Sequence, residues 1–457
     1  MQIHVRMRAL LLGTIAVFAL ANTSSVLAET LAQAMSSAYH NNSTLESERA
    51  ALRATDENVP QALSGWRPTI TANESVTHTW TDTSIPLGTK GEATRGDLSI
   101  TLSQPIFRGF KTVESTAVAE AQVNAGRQNL LVVEQTTLFN AIQAYMNVIQ
   151  FRQILGLRQK NVNVLQKQLN ATQARFNAGE LTRTDVSQAR ATLSGSQGQL
   201  AVAVANVKAA EANFLQVVGH SPGKLAVPRL APRPRSLNEA QSIAQQTNPN
   251  ILFAAQVQDA SEHQIGVIGG DLLPQFGVSA SASLDRNFNN DQYTAVGTIQ
   301  GSLVVPIYEA GRTYSSVRQA KETASQNRLK VVSAVRNVRE SVTNAWNNII
   351  STGQGLASAR SQVAASRLAL DGVQQEYQVG SRSTIEVLNA EQTLVGSEIS
   401  QVTAQHDQVI ASYSLLASMG HLTARHLGIG GLYDPKDHYN DVRNKWIGLD
   451  AESGELQ

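Results

Sequence analysis

The 457-residue sequence contains no cysteine, which excludes disulfides, thiolate metal sites, cysteine nucleophiles and a lipidated cysteine. Aromatic residues make up only 5% of the chain, while hydrophobic residues, many of them alanine, make up 42%. This composition favours slender helices in close contact over one thick globular core. Lys and Arg number 37 against 36 for Asp and Glu. No overall field therefore attracts nucleic acid, and we predict no nucleic-acid partner.

Long apolar runs are missing after the first 28 residues, so the sequence predicts no transmembrane helix in the mature chain. Residues 1–28 have the pattern of a signal peptide, with Arg6 and Arg8 before an apolar run and a small residue, Ala28, at the end. An uncleaved membrane anchor is the alternative, but the run is shorter than the ~20 apolar residues that span a bilayer. We expect an exported chain that begins at Glu29.

Catalytic motifs are also missing. The nine histidines are scattered, and neither the H-E-x-x-H metal motif nor the G-x-S-x-G nucleophile motif occurs. The glycines at 428, 430 and 431 follow no predicted strand and are expected in a loop. The sequence predicts no enzyme, no cofactor and no metal site.

One unit occurs twice in the chain. Pro105 and Gly179 match Pro306 and Gly380 at one constant offset, and that register holds over more than a hundred residues. Such self-similarity indicates an internal duplication. We divide the mature chain into a first repeat at 29–221, a proline-containing linker at 222–236, a second repeat at 237–421 and a C-terminal tail at 422–457.

Each repeat has the same predicted order: helix, β-hairpin, long helix, helix. Thr30-x-x-Gln33 and Ser236-x-x-Glu239 have the spacing of capping boxes and mark the start of each opening helix. Alternation of polar and apolar residues follows and is typical of strands. The predicted strands are about 67–82, 94–106, 274–288 and 294–307.

A heptad pattern of apolar residues covers 148–176 and again 349–377. A sustained heptad predicts helices that supercoil against their neighbours. The stretch 110–176, as one helix, would be about 100 Å long. Turns at Gly179 and Gly380 are then expected to reverse the chain into a second long helix.

Four strands per chain are too few to close a membrane barrel, and an open edge in lipid leaves backbone groups unsatisfied. Membrane barrels have eight or more strands, so at least two chains would share one barrel, and three would give twelve strands. One face of a soluble sheet is the alternative interpretation. The predicted signal peptide favours the membrane.

The two helix turns hold the charges of most interest. Thr182 with Asp185, and Ser383 with Glu386, have capping-box spacing, so their first expected role is to start the following helix. Helix tips that converge on an axis would also bring like charges close together. The sequence therefore allows a constriction at the tips as well as simple caps.

The duplicated order and the turn segments 176–186 and 377–389 resemble the TolC family of outer-membrane export ducts, over about residues 30–421. The resemblance implies a mostly α fold with a membrane β part, in two tandem repeats. It implies a homotrimer in the outer membrane, with a 12-stranded β-barrel continued by a 12-helix α-barrel in the periplasm. It also implies two partners, a periplasmic adaptor (membrane fusion) protein and an inner-membrane pump.

The resemblance further implies a periplasmic gate at the tips. Arg382 would tie to Asp185 to hold the duct shut with help from Tyr377, and Glu386 would line the narrowest ring. The family has two acidic residues one turn apart here, whereas this chain has Glu386 and Asn389, a departure that argues against a strong cation-binding ring. Arg382 as a solvated surface charge and Tyr377 as a packing residue are the alternatives.

The function predicted from these features is an outer-membrane export duct of a tripartite efflux system that passes drugs and relatively hydrophobic toxic compounds. The alternatives are the outer-membrane component of type I protein secretion and a secreted coiled-coil scaffold.

Overall fold

The structure, a computed structural model, describes residues 28–82 and 90–450. All but the last residue of the predicted signal peptide lies outside these ranges. The α-helices are α1 Leu31–Asn41, α2 Ser43–Asp56, α3 Asn58–Leu63, α4 Lys111–Asn177, α5 Arg183–Val218, α6 Leu237–Thr247, α7 Pro249–Gly269, α8 Arg312–Gln378, α9 Thr384–Ser418 and α10 Asp437–Val442. The strands are β1 Thr69–Asp82, β2 Lys90–Arg108, β3 Gln275–Asn287 and β4 Gln292–Val304.

The opening helix of each repeat is broken by an asparagine. Asn42 ends α1 and its side chain accepts hydrogen bonds from Thr44 N and Leu45 N, so it also caps α2. Asn248 does the same between α6 and α7, where Pro249 occupies the first helical turn. The short polar side chain replaces the backbone partners that a helix end lacks. Each opening helix is therefore a series of shorter helices rather than one.

The two predicted capping boxes differ. Thr30 and Gln33 form a complete box at the start of α1. At α6, Ser236 Oγ accepts from Glu239 N at 3.2 Å, but the Glu239 carboxylate accepts from Arg235 N at 2.7 Å and not from Ser236 N. The second box prediction was therefore wrong in one half, because a neighbouring amide takes the carboxylate.

The four strands form one antiparallel sheet in the order β1-β2-β3-β4. The repeats meet at its centre, where β2 pairs with β3. An apolar row crosses all four strands on one face, formed by Ile70, Leu102, Ala280 and Ile299. Exposure of Ile70 reaches 69% and of Ile299 82%. The sheet thus presents a wide apolar face that no other part of the described chain covers.

The ends of the strands are set by pairing with the neighbouring strand more than by the alternation of polar and apolar residues. β2 starts at Lys90 rather than about 94, because Lys90 pairs with Asp82 at the end of β1. β4 ends at Val304 rather than about 307, because β3, its neighbour in the sheet, starts at Gln275 opposite Val304. β2 continues past Pro105 through a bulge because β3 supports it there.

The long helices form two hairpins, α4 with α5 and α8 with α9. Both α4 and α8 have 67 residues, or about 100 Å of helix. α4 also contacts α7 and α9, and α7 contacts α8, so the hairpins lie side by side. Among the described helices, none combines the length and hydropathy needed to cross a bilayer.

The main hydrophobic core lies midway along the molecule, between the sheet and the helix turns. Its fully buried members include Leu138, Tyr145, Phe214, Leu415 and Leu422. It joins both repeats, since these residues come from α4, α5, α9 and the start of the tail. A packed centre therefore joins two long projections, the sheet on one side and the helix hairpins on the other.

Candidate functional site

The candidate site consists of the two helix tips, the first tip at residues 175–186 and the second tip at residues 376–389. Each turn contains a glycine with positive φ, 82° at Gly179 and 81° at Gly380. This left-handed conformation is unfavourable for residues that carry a Cβ. The glycines therefore allow α4 to reverse into α5 and α8 to reverse into α9 within a few residues.

A carboxylate caps the helix that leaves each turn. Asp185 Oδ2 accepts from the Thr182 hydroxyl at 2.7 Å and from Thr182 N at 2.9 Å. Glu386 Oε2 accepts from Ser383 N and from the Ser383 hydroxyl, each at 2.8 Å. The predicted capping role of these four residues therefore has a direct structural counterpart at both tips.

These hydrogen bonds favour the ionised carboxylates. The bonds from Thr182 lower the pKa of Asp185. The Ser383 amide, followed by the Arg382 side chain, lowers the pKa of Glu386 to about 2. Both tips therefore carry a fixed negative charge at neutral pH.

Arg382 is bound within its own tip. Its Nε donates to Glu376 Oε2 and its Nη1 donates to Glu386 Oε1, both at 2.6 Å. The two carboxylates raise the pKa of Arg382. Asp185, its predicted partner, lies on the other tip, where Thr182 is its donor. Within one chain the structure brings Arg382 to Glu376 and Glu386, and the pairing with Asp185 stays a prediction.

Tyr377 connects the two tips through a residue that the sequence analysis did not single out. The guanidinium of Arg175, at the end of α4, lies 5.0 Å from the centroid of the Tyr377 ring. Arg175 Nε also donates to Glu180 at 2.9 Å, and this bond raises its pKa. The Tyr377 hydroxyl is 3.4 Å from Thr384 Oγ1. The sequence offered one clue to Arg175, since it stands one residue before the turn segment 176–186 that resembles the TolC family.

Asn389 lies one turn along α9 from Glu386 and is exposed. A second missed residue, Glu391, lies further along the same helix, where it accepts from Gln374 Nε2 at 3.1 Å. Partial burial raises the pKa of Glu391. Glu391 therefore ties α9 to α8 behind the second tip.

A small apolar cluster holds the tips in register. Leu165 of α4, Ala189 and Leu193 of α5, and Leu388 of α9 are buried together. The cluster joins the first hairpin to the second and lies directly behind the turns. In the described part of the chain, no group of three or more His, Asp or Glu is arranged to hold a metal ion.

Comparison with known proteins identifies the family of this chain. The profile described as "Outer membrane efflux protein" matches residues 34–220 and 241–421. The chain belongs to this family. The resemblance to TolC is confirmed, and the family resides in the outer membrane and extends into the periplasm.

Individual relatives agree with this assignment. The chain is 40% identical to the outer membrane efflux protein BepC of Brucella suis over 435 residues, which is 94% of each chain. It is 26% identical to the outer membrane protein TolC of Escherichia coli over 421 residues, 88% of this chain and 84% of that one. Its identity to the alkaline protease secretion protein AprF of Pseudomonas aeruginosa is 21% over 332 residues, 68% and 67% of the two chains.

Solved structures show the same fold. The CmeC outer membrane channel of Campylobacter jejuni superposes with a TM-score of 0.78 at 14% identity, over 91% of this chain and 89% of that chain. The predicted fold class, mostly helical with a β part in tandem repeats, is confirmed.

Proposed function

We propose that this outer-membrane efflux duct is the outer component of a tripartite system that carries drugs and relatively hydrophobic toxic compounds to the exterior. The observation that carries the proposal is the continuity of the sheet with two helix hairpins about 100 Å long. A sheet that spans the membrane and helices that extend into the periplasm would supply one continuous path. The similarity to BepC, which is named an efflux protein, supports this direction of transport.

The proposed assembly is a homotrimer. In the sheet, β1 and β4 are the edge strands, and unpaired edges are unfavourable in lipid. Pairing β4 of one copy with β1 of the next would close a barrel, and three copies would supply twelve strands and twelve long helices. Such a duct takes its cargo from an inner-membrane pump through a periplasmic adaptor, which are the two proposed partners. We propose no catalytic activity for it.

Deletion of the gene tests the efflux role. We expect a deletion strain to become sensitive to hydrophobic drugs and dyes, and we expect this chain to restore resistance. The matched control is the same strain complemented with the chain truncated after residue 221, which lacks the second repeat. Unchanged drug sensitivity in the deletion strain would contradict the proposal.

Protein secretion is the second candidate, because one relative bears the name alkaline protease secretion protein. The secreted protein profile of the same deletion strain separates the two functions. Loss of a secreted protein with unchanged drug sensitivity would favour secretion.

We also propose that the helix tips form the periplasmic gate, with Arg382, Asp185 and Tyr377 as its closing residues. Arg382 uses Nε and Nη1 in its own tip, and a guanidinium has five N–H donors. It can therefore bind a further carboxylate such as Asp185 when tips approach each other. Glu386 and Asn389 would line the narrowest ring.

Conductance in planar bilayers tests the gate. We expect Arg382→Ser to raise the single-channel conductance of the purified protein, because both contacts of the arginine at its own tip and its proposed tie to Asp185 are lost. The control is Arg367→Ser, which removes an exposed arginine that pairs with Glu398 further from the tip. An Arg382→Ser channel that conducts as little as the original would reject the lock.

The proposed domain division follows the duplication: signal peptide 1–28, repeats 29–221 and 237–421, linker 222–236 and tail 422–457. Sequencing the amino terminus of protein extracted from outer membranes tests the cleavage site before Glu29.

A further inference from the structure

The described part of the C-terminal tail includes a closed loop, here called the tail loop, at residues Lys445–Asp450. Lys445 Nζ donates to Asp450 Oδ2 at 2.8 Å and closes the loop at its base. Between these residues lie three large apolar side chains. Trp446 is 66% exposed, Ile447 is 92% exposed and Leu449 is fully exposed. The loop therefore projects apolar groups away from the protein while its charged ends neutralise each other.

The tail loop is held at the end of the sheet where β1 begins. Arg67, which precedes the first strand by two residues, donates from Nη1 to the Lys445 carbonyl at 2.9 Å. Its guanidinium also lies 4.8 Å from the centroid of the Trp446 ring. Since a strand rises about 3.3 Å per residue, Trp446 lies close to the level at which β1 begins.

The preceding helix fixes the loop to the rest of the protein. Arg443, just after α10, donates to Glu120 of α4 at 2.7 Å. His438 Nδ1 lies 3.3 Å from Asp56 Oδ2 at the end of α2, and the Asp56 side chain is almost fully buried. These contacts join the tail to two helices, so the apolar loop is presented in one place.

The tail loop lies near the end of the sheet at which the apolar row is found. The apolar row from Ile70 to Ile299 includes the second residue of β1, Ile70. The sheet is the part of the fold that enters the outer membrane. At the end where the helices begin, the sheet meets the periplasmic surface of that membrane. A tryptophan beside aliphatic residues suits this boundary, because the indole ring occupies the headgroup region.

We propose that the tail loop inserts Trp446, Ile447 and Leu449 into the periplasmic leaflet of the outer membrane, with phospholipid as its ligand. The loop thereby sets the depth at which the duct sits in the membrane. The ion pair between Lys445 and Asp450 leaves the loop itself without net charge. This inference goes beyond the transport function and rests on the outer-membrane location.

Quenching by brominated phospholipid tests the proposal directly. The full chain is reconstituted in phosphatidylcholine vesicles with and without bromine on the acyl chains, alongside Trp446→Phe. The chain has four tryptophans, and the difference between the two proteins isolates the emission of Trp446. We expect this emission to be blue-shifted and to lose most of its intensity in brominated lipid. Trp346→Phe is the matched control, since Trp346 packs against the central core.

A second variant separates insertion from folding. Ile447→Asn combined with Leu449→Asn should leave the oligomer intact on gels and reduce the quenching of Trp446. Emission of Trp446 that brominated lipid leaves unchanged would overturn the proposal. A blue shift without quenching would mean that the loop packs against a neighbouring copy of the chain. A red-shifted emission without quenching would mean that the loop lies in water.

Discussion

The first tip and the second tip contain the same device with its charges exchanged. At the first tip, an arginine at the end of the long helix, Arg175, binds a glutamate in the turn, Glu180. At the second tip, a glutamate at the equivalent helix position, Glu376, binds an arginine in the turn, Arg382. The two helix positions correspond at the repeat offset, and the turn charges, Glu180 and Arg382, stand one position apart in that register.

Opposite polarity makes the tips complementary to each other. Two tips with the same order of charges would place like charges side by side wherever hairpins alternate around an axis. With exchanged order, the helix end of the first tip is positive, at Arg175, and that of the second tip is negative, at Glu376. The contact of Arg175 with the Tyr377 ring occurs at this junction. The opposite order of charges at the two tips thus favours contact between neighbouring hairpins.

The tips also differ in how many charges they connect. Arg382 holds two carboxylates, whereas Arg175 holds one carboxylate and one aromatic ring. Exposed single ion pairs contribute little, and networks contribute more. We therefore expect the second tip to be the stronger part of the closed state.

Exchanging the charges of the second tip should have the largest effect. Glu376→Arg combined with Arg382→Glu keeps a local pair but gives both tips the same polarity and places a second carboxylate beside Glu386. We expect a several-fold rise in conductance in planar bilayers. The matched control adds the reverse exchange at the first tip, Arg175→Glu with Glu180→Arg, which restores opposite polarity to the two tips and should lower the conductance again. Conductance equal to that of the original protein would mean that local pairing alone keeps the duct shut.

Removal of Arg175 should have a smaller effect of the same sign. Arg175→Gln loses both the bond to Glu180 and the contact with Tyr377, and we expect a moderate rise in conductance. Tyr377→Phe is the matched control: it keeps the ring, so it should conduct less than Arg175→Gln. A larger rise for Tyr377→Phe would transfer the role from the ring to the hydroxyl.

The sequence predicted the long helices and the strand pattern because both depend on local periodicity. The heptads predicted the second part of each long helix, the stretch 110–176 taken as one helix gave the length of α4, and alternation identified all four strands. The breaks at Asn42 and Asn248 were missed, although asparagine is a strong helix cap, because the apolar pattern continues through them. Alternation also could not fix the ends of β2 and β4, which depend on the partner strand.

The tip residues were predictable by position but not by partner. Matching the two repeats located Asp185 and Glu386, and the resemblance to the TolC family located Arg382. The bond from Arg382 to Glu376 crosses a turn, and the contact of Arg175 with Tyr377 joins residues about two hundred positions apart. Such contacts depend on how the hairpins pack, through clusters such as that around Leu388, and no local pattern encodes that.

Acidification should loosen the second tip with a defined sign. The pKa of Glu386 is lowered from 4.5 to about 2, so its ionised form stabilises the tip above pH 4.5, and that contribution is lost as the pH falls toward 2. The lowered pKa of Asp185 acts in the same direction. We expect constant conductance between about pH 7 and pH 5 and a rise below that. Glu386→Gln should weaken this rise, and a rise centred above pH 5 would contradict it.

The glycines of the two turns should give the smallest effect, and an equal one. Both have φ near 80°, and a Cβ at either would meet open space. Gly179→Ala and Gly380→Ala should therefore each cost only the conformational penalty, about 1 kcal/mol. Hydrogen exchange of the amides around each turn should accelerate about fivefold. A clearly larger acceleration at the second tip would contradict the equal effect. It would show that the turn geometry of the second tip also supports contacts between hairpins.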